Sequence, residues 1–122
     1  MTRRHYTWAI ITAVVITLAL LRVPEVQIAV EGGRMRMEPA YIRLRVTVEP
    51  HQDNRGLWVG LVDGDYVAAS SYEGLEGGRS PRTRWREFKD MGAGNYDAFV
   101  VLERVDGSRI EARDRVTVLS RY

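Results

Sequence analysis

From residue 24 onward, turn-forming residues interrupt the chain about every ten positions, and between them apolar and polar side chains alternate. The clearest stretch is residues 41–49. Ile42, Leu44, Val46 and Val48 alternate there with Arg43, Arg45, Thr47 and Glu49, between Pro39 and Pro50. Successive side chains of a strand point to opposite faces, so a period of two means one buried face and one wet face. The same reading predicts short strands at 26–30, 35–37, 66–72, 83–88, 95–104 and 109–119. The nearly all-apolar run 57–62 reads as a central strand. Glu31-Gly32-Gly33, the polar stretch 51–56, Asp63-Gly64-Asp65, the Gly-rich stretch 73–81 and Val105-Asp106-Gly107-Ser108 read as turns and loops. Asp114 breaks the rhythm of the last strand and is expected at a bulge. Seven or eight strands and no helix in this region predict an all-β fold. The expected form is a sandwich of two antiparallel sheets.

The N-terminus differs in kind. Residues 6–21 carry no charge, and extension to Val23 gives 18 residues. As a helix that span measures about 27 Å, close to the ~30 Å of a bilayer core. Tyr6 and Trp8 suit the interface, Arg3 and Arg4 precede the span, and Arg22 can snorkel to the headgroups. A cleaved signal peptide would need small residues after the apolar run, and Leu20-Leu21-Arg22-Val23-Pro24 makes a poor site. The expectation is an uncleaved signal anchor: residues 1–5 cytoplasmic, 6–23 spanning, and 24–122 an extracytoplasmic domain. That places the protein in a bacterial inner membrane with its folded domain in the periplasm. Seventeen of 18 basic residues are Arg, a bias associated with GC-rich bacterial genomes.

Charge and composition exclude several classes. The whole chain is formally +2, but residues 24–122 hold 15 basic and 16 acidic groups. A nearly neutral body argues against nucleic acid as a partner. The absence of Cys excludes a disulfide framework and any thiolate chemistry. His5 and His51 are too few and too distant for a His-rich metal site, so no cofactor and no metal are expected.

Two features resemble immunoglobulin-like and fibronectin type III-like domains. Residues 91–100 (MGAGNYDAFV) are similar to the corner that leads into strand F, where a Tyr bonds back to nearby backbone, and Tyr96 is the matching position. Trp58 resembles the core Trp of strand C. The resemblance covers residues 24–122, near the ~100 residues of such a domain. It implies an immunoglobulin-like sandwich with Tyr96 and Trp58 as structural aromatics, and it leaves function open. Trp85, set among charges on its own strand, is read as structural beside them.

Few residues suggest chemistry. His51, Asp53 and Asn54 read as a polar turn, and Asp63 and Asp65 lack the further acids of a calcium loop. Ser70, Ser71 and Ser80 lie outside any nucleophile motif, so the chain is expected not to be an enzyme. The charge is concentrated in one place. Residues 79–89 carry Arg79, Arg82, Arg84, Arg86 and Lys89 against Glu87 alone. Alternation places Arg82, Arg84 and Arg86 on one face, which reads either as a solvated strand face or as a docking strip. The leading expectation is a small accessory subunit of a larger membrane complex, docked through this strip and the span. The alternative is a free-standing envelope module that binds a glycan, a peptide or an anionic lipid, with exposed aromatics near Tyr66 and Tyr72.

Overall fold

The computed structural model describes residues 25–121. The expected cytoplasmic residues 1–5 and the span 6–23 lie outside the described residues. Among those described, no helix is long and apolar enough to cross a membrane.

Among the described residues, eight strands form two sheets: β1 (Val26–Val30), β2 (Met35–Met37), β3 (Ala40–Val48), β4 (Asn54–Asp63), β5 (Tyr66–Gly74), β6 (Thr83–Met91), β7 (Gly94–Arg104) and β8 (Arg109–Leu119). One sheet has the order β1-β3-β6, the other β2-β8-β7-β4-β5. All pairs are antiparallel except β2 with β8, which is parallel. The exception arises because β1 and β2 act as one broken edge strand. The turn at Gly32 and Gly33, both at positive φ, hands the chain from one sheet to the other.

The alternation seen in the sequence builds the core. Ile42, Leu44 and Val46 of β3 are fully buried, and they meet Leu57, Val59 and Leu61 of β4, Val100 and Leu102 of β7 and Val116 of β8. Complete burial of each such side chain contributes about 1.5–3 kcal/mol.

Charged side chains bridge the sheets on both open sides. Asp114 of β8 is not at a bulge, since β7 and β8 pair without a register shift. Its carboxylate points inward, accepts the Val30 N–H at 3.1 Å and pairs with Arg34 at 3.1 Å. It thus satisfies the backbone where β1 leaves its sheet. On the opposite side, Glu73 of β5 faces Arg84 and Arg86 of β6.

Candidate functional site

The arginine segment is not one surface. Arg84 lies opposite Val46 and Arg86 opposite Leu44, so both occupy the inward phase of β6. Arg84 is only 6% exposed. Its Nε donates to Glu73 Oε2, Nη1 donates to the Pro81 carbonyl, and Arg86 reaches the other Glu73 oxygen at 3.4 Å. The docking strip of Arg82, Arg84 and Arg86 is therefore corrected: its central member is a buried tie between the sheets. Three like charges tolerate this spacing because Glu73 opposes two of them and Glu49 takes the third, Arg82, at 2.7 Å. Arg79 sits on a 3₁₀ turn, Gly77–Arg79, and both it and Lys89 are exposed. Trp85 faces outward on the three-stranded sheet, with the Arg43 guanidinium 3.9 Å from its ring centre.

Trp58 is also corrected. It is 41% exposed and lies outside the core. A strand that buries Leu57, Val59 and Leu61 must turn Trp58 to the other face. Tyr96 does lie in the core, at 7% exposure, and its hydroxyl donates to the Gly92 carbonyl at 2.8 Å. Burial raises the pKa of this phenol above its ordinary value, with the nearby Asp63 carboxylate acting in the same direction.

Tyr66 and Tyr72 are exposed, as the sequence suggested for a binding module, but they lie on a strand and not in loops. The sequence did not reveal that Trp58 and Phe99 share the outer face of the five-stranded sheet with Tyr72. Cross-strand register sets Tyr72, Trp58 and Val101 in one row, and Ser70, Gly60 and Phe99 in the next. Trp58 and Tyr72 have ring centres 4.7 Å apart at a tilt of 50°. Glycines shape the surface between them. A Cβ on Gly60 would stand 2.9 Å from the Phe99 ring, and one on Gly56 would collide with the Tyr72 ring. Phe99 and Tyr72 therefore lie down over bare backbone on either side of Trp58. On the Phe99 side of Trp58, and not reaching Tyr72, lies a shallow groove of ≈ 380 Å³ that Val67, Ser70 and Val101 also line. Its polar end is Glu103, which accepts Trp58 Nε1–H at 3.3 Å and pairs with Arg109 at 3.5 Å. The adjoining charges are matched within the sheet: Arg113 and Arg115 both reach Asp97, at 3.8 and 3.5 Å. Tyr66, 71% exposed, stands at the turn into β5.

No protein-family model matches the chain, and no curated protein matches it. Solved structures do. A superoxide reductase (neelaredoxin) from Ignicoccus hospitalis superposes with a TM-score of 0.58 at 14% identity, over 76% of this chain and 80% of that one. The sulfur carrier protein SoxY from Chlorobium limicola f thiosulfatophilum gives 0.58 at 12% identity, over 88% and 96%. The PmoD soluble domain from Methylocystis sp. gives 0.54 at 13%, over 77% and 90%.

These proteins share its β-sandwich fold. At such identities the likeness carries the fold and no activity. It nonetheless corrects the expectation that this chain is not an enzyme. Superoxide reductases are built on the same sandwich, so neither the fold nor a missing sequence motif excludes catalysis. Some neighbours hold metal: a CARDB domain from Pyrococcus furiosus was solved with di-metal ions. Among the described residues here, no three His, Cys, Asp or Glu side chains stand together to share an ion. His51, the one described imidazole, accepts the Asp53 N–H at 3.0 Å within its own turn.

Proposed function

We propose that this chain is a membrane-anchored module of the bacterial envelope that binds its target through the outer face of its five-stranded sheet. One observation carries the reading: Trp58, Tyr72 and Phe99 are gathered on that face, and Gly56 and Gly60 of β4 let the Tyr72 and Phe99 rings lie against the sheet beside Trp58. Large aromatics left at a surface mark contact sites more often than scattered single apolar residues do. The face also combines an apolar floor with a few polar groups at one end, the usual make-up of a ligand site.

The architecture supports the rest. We assign the sandwich to the immunoglobulin-like class, with β4, β7 and β8 as strands C, F and G. The Tyr96–Gly92 hydrogen bond supports reading residues 91–96 as a tyrosine corner. The apolar span 6–23 is the anchor, with the N-terminus cytoplasmic and the sandwich periplasmic. Because β1 begins at Val26, the domain works close to the bilayer.

A second reading keeps the same anchor and face but makes the target a membrane protein, so that the chain is an accessory subunit of a larger complex. The long run of uncharged residues in β5, the edge strand beside the face, favours it. Tyr66 to Tyr72 offer an edge without a charged residue. Purification from native membranes in mild detergent, through a C-terminal tag, separates the two. A binding module elutes without a stoichiometric protein partner, whereas a subunit elutes with one. Recovery of the chain in the soluble fraction, with residues 1–23 removed, would contradict the anchor in both.

A further inference from the structure

We infer that the Trp58 groove is a carbohydrate site that takes a neutral pyranose ring, one sugar of a longer glycan. The inference rests on the reading of the outer face as the binding face and gives its ligand a chemical class.

The chemistry of the groove is divided. Trp58, Val67, Val101 and Phe99 give it an apolar lining, and Tyr72, outside that lining, packs against Trp58 with ring centres 4.7 Å apart and supports the indole. At one end stand a carboxylate and a guanidinium, Glu103 and Arg109, with the Ser70 hydroxyl also lining the groove. A purely apolar ligand, such as an acyl chain, would take water from those polar groups and return nothing. A purely polar ligand would leave the rings uncovered. A pyranose meets both demands, because its C–H face is apolar and its rim carries hydroxyls that both donate and accept. Glu103 can accept from such a rim and Arg109 can donate to it.

Charge selects within that class. The charged groups at and beside its polar end, Glu103, Arg109, Asp97, Glu111, Arg113 and Arg115, each have a partner of opposite sign. Glu103 holds Arg109, Asp97 holds Arg113 and Arg115, and Glu111 holds Arg113. A charged glycan finds no unmatched counter-charge to offset its desolvation, whereas a neutral one requires none. Size argues against a protein in this groove. Seven side chains line it, against the ~20–30 residues per side of a standard protein interface. Trp58 is the one indole lining the groove, so it offers a platform for one sugar and not a shelf for two.

The test is calorimetric titration of the full chain in detergent with three neutral probes: cellohexaose, maltohexaose and chitohexaose. A heparin-derived hexasaccharide serves as the charged probe. At least one neutral hexaose should bind in about the µM–mM range typical of small contact areas, and the charged probe at least tenfold more weakly. Trp58→Ala should weaken binding tenfold or more, with Trp58→Phe recovering most of it. Arg82→Ala, on the other sheet, should leave it unchanged. Trp58 is exposed, so its loss leaves the core intact, and an unaltered melting curve checks this. No binding by any neutral hexaose, or binding that survives Trp58→Ala, overturns the inference. If no hexaose binds while Trp58 is still shielded in native membranes, the sugar assignment alone fails. If Trp58 is unshielded as well, the reading of the face fails with it.

Discussion

Arg84 holds the two sheets together at their open edge, and its neighbours differ sharply from it in what they contribute. Arg84→Ala removes a buried guanidinium and leaves Glu73 to Arg86 alone. Because the Glu73 side chain is 36% exposed, water recovers part of the loss. The expected cost is about 2 kcal/mol, below the ~3–5 of a fully buried pair. Arg82→Ala breaks an exposed pair with Glu49 and should cost about 0–1 kcal/mol. Urea denaturation of both variants checks the contrast, and equal midpoints would refute the assignment. Tyr96→Phe removes the hydroxyl that serves the Gly92 carbonyl. Gly92 is exposed, so water can replace the phenol, and the loss should be about 1 kcal/mol. An unchanged melting temperature would argue against the corner assignment.

Among the elements, β4 does most to decide what the molecule can bind, because it alternates core residues with Gly56, Trp58 and Gly60. Gly60→Ala would place a Cβ 2.4 Å from the Ala69 carbonyl oxygen, a backbone atom that cannot swing away. It should destabilise the domain by about 1–3 kcal/mol and lift Phe99 from the floor. A neutral effect on chemical denaturation would mean that β5 has slack there. The phase of β4 also explains why the face was hidden. In 57–62 every residue but Gly60 is apolar, so hydropathy reveals a strand without its inward side. The overlooked signal was size: Gly56 and Gly60 cannot fill a core, whereas Leu57, Val59 and Leu61 can, and Trp58 goes with the glycines. Residues 41–48 had no such ambiguity, since Arg43, Arg45 and Thr47 identify the wet face, and that strand matches its expected bounds within a residue. In β6 the inward phase is Arg84, Arg86 and Phe88. Two arginines on a core-facing phase are unreadable without Glu73, which arrives from a different sheet.

For the molecule as a whole, both sheets carry paired charges on their outer faces, and the five-stranded one adds the cluster of Trp58, Tyr72 and Phe99. The ends of the sandwich add a response to acid. Glu38 accepts the Ala93 N–H and the Arg121 N–H, each at 3.1 Å, and the Ser120 hydroxyl at 3.2 Å. These bonds, those from the Arg121 and Ala93 backbone first, hold its pKa below the ordinary value of 4.5. A lowered carboxylate pKa contributes stability that is complete above that value and is lost as pH falls through the folded-state value. The melting temperature should therefore fall as pH drops below about 4.5, and Glu38→Gln should flatten that fall. An identical pH profile in the variant would remove Glu38 from the account. If the target covers the five-stranded face, the chain carries its own control. Trp58 and Trp85 stand on opposite sheets at 41% and 39% exposure, so oxidative labelling should modify both similarly in the isolated protein. In native membranes the account predicts that Trp58 becomes shielded while Trp85 labels as before. Shielding of Trp85, with Trp58 as reactive as in isolation, would contradict it.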